Sequence, residues 1–440
     1  MACRKAAPCP ILHPMSEALR ILFTNNTLAK PAGTERSVLD YATSLLRRGH
    51  AVAAYSAHLG ETAELLRSSG VVVVDDLNQT PWIPNVIHGH HEWETAMAAL
   101  HFHGVPVISF CRGPYTWQEA PCRAPNVVLW AAVDEACRDR LDSEHGVPLD
   151  RIELVLNGVD LARFQQRPVP VTVVKRALIF SNYATEQNYV PAVRAACARA
   201  GVELSVIGAA VGCIHPTPHE MLRDFDLVFA KGKAALEAIA VGCAVVVCDT
   251  AGLGPWVTSA NFDSLRRLSF GNPCMTEKIT EAAIAERISQ ITGEEAGRTM
   301  AIVRSTCGLE RTIDSLEMSY HRALHLPMDT SAAKVAGYAA SFMQARTHAF
   351  KLGRKTQEFW HNSRDPEAED RWDAVKVDRV LDAFFNAETK HTRLTEKLEK
   401  AQSSVEKLRK GEKPRRGLRA LLQSWMPHRQ RGDDEPGYGS

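Results

Sequence analysis

Two successive series of short apolar runs, each followed by helical spacing, constrain this chain more than any other feature. In the first series, residues 20–25, a run from Ala51, and 71–74, 85–88, 106–110 and 127–131 read as buried strands. Helical spacing lies between them, with Val38, Tyr41, Ala42, Leu45 and Leu46 inside 34–49 and a further helix at 95–102. Strands that alternate with helices need crossover connections, so the expected sheet is parallel and covered by helices. A Pro-rich link at 166–172 precedes the second series, with strands at 177–180, 203–208, 227–229 and 244–248 and helices at 190–200 and 234–241. The chain therefore reads as two doubly wound lobes around a cleft. Ligands in such folds sit at the carboxyl ends of the strands.

Composition narrows the function classes. The 440 residues are 45% hydrophobic and carry a formal charge of +1, which suits ordinary globular cores and gives no global basic field for nucleic acid. The 11 cysteines lie between Cys3 and Cys307 without a CxxC pair, and Pro8, Pro10 and Pro14 interrupt the apolar start. A reduced, cytoplasmic protein is expected. No apolar run approaches the ~20 residues that span a bilayer, so any membrane contact is expected to be peripheral.

Residues 133–164 join the two series. A helix marked by Ala136, Cys137 and Leu141 leads to Gly146 and Pro148, a strand follows at 152–156, and the chain turns at Asn157 and Gly158. This order, with Asn157, Gly158, Val159, Asp160 and Phe164, resembles the end of the first domain in the family-4 glycosyltransferases. The resemblance covers about residues 19–325. It implies an α/β fold of GT-B type: two Rossmann-like doubly wound lobes facing a cleft, with an acceptor-side domain at 19–165 and a nucleotide-sugar-binding domain at 166–325. A leader at 1–18, expected to be disordered, and a helical extension at 326–440 flank them. An amphipathic helix at 309–324 is expected to close the second lobe. The resemblance further implies hexosyl transfer from a nucleotide-sugar to a glycan, lipid-linked or other acceptor, with retention of configuration. It implies no catalytic metal and no cofactor beyond the nucleotide-sugar itself.

On the donor side, residues 229–242 pass from strand to helix with Lys231 and Lys233 on either side of Gly232. A helix start, two ammonium groups and free backbone N–H groups suit a diphosphate. In the resembling family a Glu before an Ala-x-Ala run contacts the ribose, and Glu237, ahead of Ala238, Ile239 and Ala240, occupies that position. Phe229 stands where the family has a second Glu. Ser181 and Asn182 follow the opening strand of the second lobe, where relatives often carry Gly-Arg and a nearby Lys. The charge that meets a leaving diphosphate is therefore expected from Lys231 or Lys233. Further on, Gly252 and Gly254 are expected to hold a turn open.

On the acceptor side, Gly33 and Glu35 fit the family's glycine-rich loop, and Ala32 stands where its first Gly is common. Arg112 replaces a His; it cannot act as a base, but it can stabilise negative charge or bind an acidic acceptor. The run His88, Gly89, His90, His91, Glu92 lacks the spacing of a zinc site. Its place after a strand points His90 or His91 either into the acceptor cleft or into solvent. Arg112 and His90 are the catalytic candidates, and His91, Gly33 and Glu35 the acceptor-binding ones.

The extension is an addition to the two lobes. Val380, Phe384, Ala387, His391, Leu394, Leu398, Ala401, Val405 and Leu408 recur at spacings of three and four, which suits a self-associating coiled coil or one amphipathic helix lying on the lobes. Nine Lys or Arg between Lys407 and Arg431 face one acid, Glu412, and interleave Leu418, Leu421, Leu422, Trp425 and Met426. That pattern fits an anionic membrane surface or a solvated end, with nucleic acid behind both. Cell-envelope polysaccharide assembly is the usual setting of such relatives. The rival is a non-catalytic GT-B-like protein that binds a nucleotide or glycan, motivated by Phe229 and Arg112. A sugar-nucleotide epimerase ranks below it, because no GxGxxG follows the first strand.

Overall fold

The computed structural model describes residues 17–31, 33–213, 215, 217–345 and 347. Most of the leader, Ala32, the seam from Val380 and the basic tail lie outside them. The first lobe is built on β1 (Arg20–Thr24), β2 (Ala51–Tyr55), β3 (Val72–Val74), β4 (Val86–His90), β5 (Val107–Cys111), β6 (Val127–Ala132) and β7 (Ile152–Leu154). They form one sheet in the order β3-β2-β1-β4-β5-β6-β7, every pair parallel. Strands β4 and β5 are buried at every position, which is why they read as runs without polar alternation. The helices α1 (Gly33–Arg47), α2 (Glu61–Ser68), α3 (Glu92–His101) and α4 (Glu135–Asp139) cover the sheet. Helix α1 buries Val38, Tyr41, Ala42 and Leu45 and carries Glu35 in its first turn and Arg47 in its last, matching the helix dipole.

The second lobe holds β8 (Arg176–Phe180), α5 (Val190–Arg199), β9 (Glu203–Ile207), α6 (Pro218–Met221), β10 (Leu227–Ala230), α7 (Gly232–Val241), β11 (Ala244–Asp249), β12 (Gly252–Trp256), α8 (Phe262–Arg267), α9 (Glu281–Gln290) and α10 (Gly293–Thr306). Its strand order is β12-β11-β10-β8-β9. The open turn expected at Gly252 and Gly254 is instead β12, an edge strand antiparallel to β11. Strand order reverses between β1 and β4 in the first lobe and between β8 and β10 in the second, the positions where such sheets leave a crevice.

The helix expected to close the second lobe does not do so. Helix α11 (Leu309–Leu324) returns to the first lobe, where Leu309, Ile313, Leu316, Tyr320 and Ala323 share a core with Ile21, Phe23, Tyr41 and Leu45. Burying a side chain of this size is worth roughly 1.5–3 kcal/mol, so the return is driven by apolar surface the first sheet leaves uncovered. Arg48 sits at hydrogen-bond distance from Glu310 (2.6 Å), Asp314 (2.7 Å) and Glu317 (2.7 Å) of α11 and fixes its register.

The chain crosses between lobes at two points that touch. Val159 N donates to Cys307 O at 2.9 Å and Leu309 N donates to Val159 O at 2.8 Å. A Cβ on Gly158 would stand 2.5 Å from Thr312 Oγ1 and 2.9 Å from Leu309 Cα, so only glycine fits where α11 begins. The Asn157-Gly158-Val159-Asp160 segment is thus a joint that both crossings share. No described helix is long and apolar enough to cross a membrane, and the described cysteines are all free thiols.

Candidate functional site

Several of the candidate residues follow the strands that flank the two switch points. In the first lobe, β4 ends in three histidines with different surroundings. His88 and His90 are fully buried; their Nε2 atoms lie 2.9 Å apart, and His88 Nδ1 lies 2.7 Å from Tyr320 Oη of α11. His88 also stacks on Phe110 with ring centroids 3.7 Å apart. Burial drives both imidazoles far below their usual titration range, and nearby Arg112 adds to the effect. Both rings are therefore neutral, one Nε2 donating to the other. His90, a catalytic candidate by sequence, belongs to this interior chain and exposes no surface to an acceptor. The reason is that β4 is central and covered on both faces, so alternate residues are equally buried.

His91 is placed differently. It precedes α3 with φ 63°, a left-handed conformation rarely held by a residue with a side chain. Its Nδ1 accepts from Asn26 N at 3.2 Å, which leaves the ring proton on Nε2, 3.5 Å from Glu119 Oε1. Burial and the charge of Arg112 push its pKa down to about 4. Glu119 is also buried; desolvation raises its pKa, while its Oε2 accepts from the backbone N of Arg112 at 2.9 Å. Sequence reasoning missed Glu119, because a lone acid in a loop carries no periodic or spacing signal.

Arg112 follows β5 and points its guanidinium at the joint. Nη2 donates to Ser37 Oγ of α1 at 2.8 Å and to Asn157 Oδ1 at 3.0 Å, and Asn157 Nδ2 donates to Ser269 Oγ of the second lobe at 3.3 Å. The arginine thus links its own sheet to α1 and, through Asn157, to the other lobe. Glu35 is buried in the first turn of α1, where desolvation raises its pKa. Gly33, at the exposed start of the same helix, has no atom within 4 Å of where a Cβ would lie, so close packing does not require a glycine there.

On the donor side, α7 starts where β10 ends. Gly232 has φ 62°, a conformation glycine takes without strain. Lys231 and Lys233, expected to meet a diphosphate, both hold carboxylates. Lys231 Nζ lies 3.0 Å from Asp249 Oδ2 and 5.0 Å above the Tyr183 ring, and Ser181 Oγ donates to Asp249 Oδ1 at 3.2 Å. Lys233 Nζ reaches across the junction to Asp40 Oδ2 of α1 at 2.5 Å, and Arg163 lies 3.0 Å from the same carboxylate. Burial opposes ionisation of Asp40, but Lys233 and Arg163 outweigh it and hold the pKa below the usual value. Glu237 is buried beside this cluster, and desolvation raises its pKa. Asn182 Oδ1 accepts from Ala209 N at 3.2 Å and ties the loop after β8 to the loop after β9. The fold brings Lys233, Glu237, Asp40, Arg163 and Arg112 to the junction, while Lys231, Ser181 and Asn182 gather at the second lobe's own strand ends.

Two parallel-stranded lobes, joined by paired crossings and facing each other across their strand ends, define a protein of GT-B fold. Residues 79–163 match the family model described as Glycosyltransferase Family 4, so this part of the first lobe is similar to that family. A glycosyltransferase from Rickettsia africae is similar in structure, with TM-score 0.51 and 12% identity, covering 70% of this chain and 100% of that one. Anabaena HepE (Alr3699), solved in complex with UDP and glucose, is similar at TM-score 0.51 and 13% identity, covering 68% of this chain and 99% of that one. At these identities the likeness is one of fold. No curated protein matches the sequence significantly.

Proposed function

We propose that this protein is a glycosyltransferase that moves a sugar from a nucleotide-sugar to a glycan, lipid-linked or other acceptor. The observation that carries the reading is the meeting of Lys233 and Glu237, in the first turns of α7, with Asp40 of α1 across the junction of the lobes. In this reading the α7 start takes the donor's diphosphate, and Glu237 holds the ribose. The neutral His91, with its orientation fixed by Asn26 and Glu119, lines the acceptor side. Bringing donor and acceptor into one closed cleft supplies orientation, and cations at the departing diphosphate supply charge stabilisation. Retention of configuration, a hexose as the transferred sugar and a place in cell-envelope polysaccharide synthesis belong to the same proposal through the family resemblance. No cofactor beyond the donor is invoked. Self-association through the extension and peripheral contact of the basic tail with an anionic membrane, at its cytoplasmic face, rest on the sequence pattern.

The test is nucleotide release from a panel of nucleotide-sugars incubated with the purified chain. Release with one donor, raised by a matching acceptor, is expected. Saturable nucleotide binding without release selects the second reading, a non-catalytic relative. That reading is favoured by one observation: both α7 lysines already hold carboxylates.

A further inference from the structure

With Lys231 on Asp249 and Lys233 on Asp40, the charge for a departing diphosphate is not free at the residues where the sequence places it. Another cation at the same junction is free. Arg266, in the last turn of α8, makes no side-chain hydrogen bond or ion pair among the described residues, and its Nε is buried without a partner. Together with Asn157, Gly232, Lys233 and Ser269 it lines a cavity of about 10 Å³, the size of a single water. Leaving a buried N–H unpaired costs roughly 1–3 kcal/mol, and more for a charged group, so this guanidinium is disposed to bind whatever enters the cavity, a water or an anion. The turn that carries it is strained as well. Ser269 and Phe270 have φ 52° and 50°, at about 1 kcal/mol or more each for residues with side chains. That turn is fastened to the helix start, since Gly232 N donates to Phe270 O at 3.3 Å.

We propose that Arg266 is the residue that receives a phosphate group of the donor's diphosphate at the start of α7. This rests on the donor reading above and deepens it. A guanidinium offers a planar fork to two phosphate oxygens, which an ammonium group does not. The cavity is smaller than a diphosphate, so entry parts α7 from α1 and releases Lys233 from Asp40 to the incoming anion. Asp40 thereby holds the place of the phosphate until the donor arrives, and Asn157 carries the change to Arg112 in the first lobe.

The experiment is calorimetric titration of the full chain with inorganic pyrophosphate, and in a second arm with UDP, GDP and ADP. Saturable binding is expected, weakened about tenfold or more in Arg266→Gln and less in Arg266→Lys, which keeps the charge but loses the fork. Arg298→Gln removes the same charge from the exposed face of α10 and is expected to stay within about twofold, as an exposed ion pair contributes little. Unchanged affinity in a folded Arg266→Gln overturns the proposal, as does a wild-type chain that binds neither pyrophosphate nor any of the nucleotides. If Arg266→Gln fails to fold, protection of Arg266 by pyrophosphate against an arginine-directed dicarbonyl reagent decides; equal modification with and without the anion overturns the assignment. Turnover that ignores Arg266 sinks this inference and leaves the transferase. Anion binding that depends on Arg266 without turnover leaves the site and sinks the transferase.

Discussion

The two lobes prepare their strand ends in opposite ways. The first lobe holds neutral groups in a buried interior: His88, His90 and His91 are uncharged, and each is fixed by a hydrogen bond. The second lobe holds charges in pairs, Lys231 with Asp249 and, across the junction, Lys233 with Asp40. The first arrangement costs desolvation and gives orientation; the second keeps charge available but requires exchange before an anion can use it. In the donor reading, one side of the cleft is therefore preset and the other exchanges its ion pairs for the ligand.

The largest expected effect lies at the joint that couples them. Gly158→Ala places a Cβ against Leu309 Cα and Thr312 Oγ1 and should destabilise by about 3 kcal/mol. Thermal denaturation checks it: a lowered midpoint is expected, and splitting into two transitions shows that the lobes unfold separately once the joint is loosened. An unchanged melting curve removes the joint from the account.

Acid should distinguish the lobes next. An unfolded His91 binds its proton near pH 6.5 and the folded one only near about 4, so the stability its neutral ring confers is complete above pH 6.5 and lost as pH falls toward 4. At 1.36 kcal/mol per pKa unit the loss is on the order of 3 kcal/mol, and His88 and His90 act in the same direction. Hydrogen exchange at decreasing pH is expected to show β4 and its neighbours opening before β10 and β11. The reverse order breaks the comparison. Asp40 works at lower pH: its folded pKa is depressed, so its contribution is present above about 3.9 and disappears as pH falls through the folded value.

Smaller effects separate the pairs. Asp40→Asn leaves Lys233 and Arg163 without a carboxylate and should cost about 2 kcal/mol, less than for a fully buried pair because both cations are partly exposed. Tyr320→Phe removes the hydroxyl that serves His88 and should cost about 1 kcal/mol. Urea midpoints measure both, and a cost for Tyr320→Phe above that for Asp40→Asn reverses the ranking.

Strands, helices and the order of the lobes were legible because apolar periodicity reports burial directly, as β4, β5 and β11 show. What stayed hidden depends on partners remote in sequence. Helix α11 has an obvious apolar face, but nothing in that face says which sheet it covers. The lysines around Gly232 were found, whereas the carboxylates that hold them, Asp40 and Asp249, lie on other elements. Arg266 and Glu119 look like surface charges in the sequence and acquire meaning only from burial without, or with, a partner. His90 follows an apolar run that the sequence lets end at the cleft, but a central parallel strand buries both of its faces.

In the donor reading, the junction of α7 and α1 binds the donor, with Glu237 on its nucleotide. Calorimetric titration of wild type and Glu237→Ala with the nucleoside diphosphate released in the turnover assay tests it most directly. Saturable binding by the wild type is expected, with a loss of about tenfold or more in a folded Glu237→Ala. Equal affinity in the two proteins would contradict it.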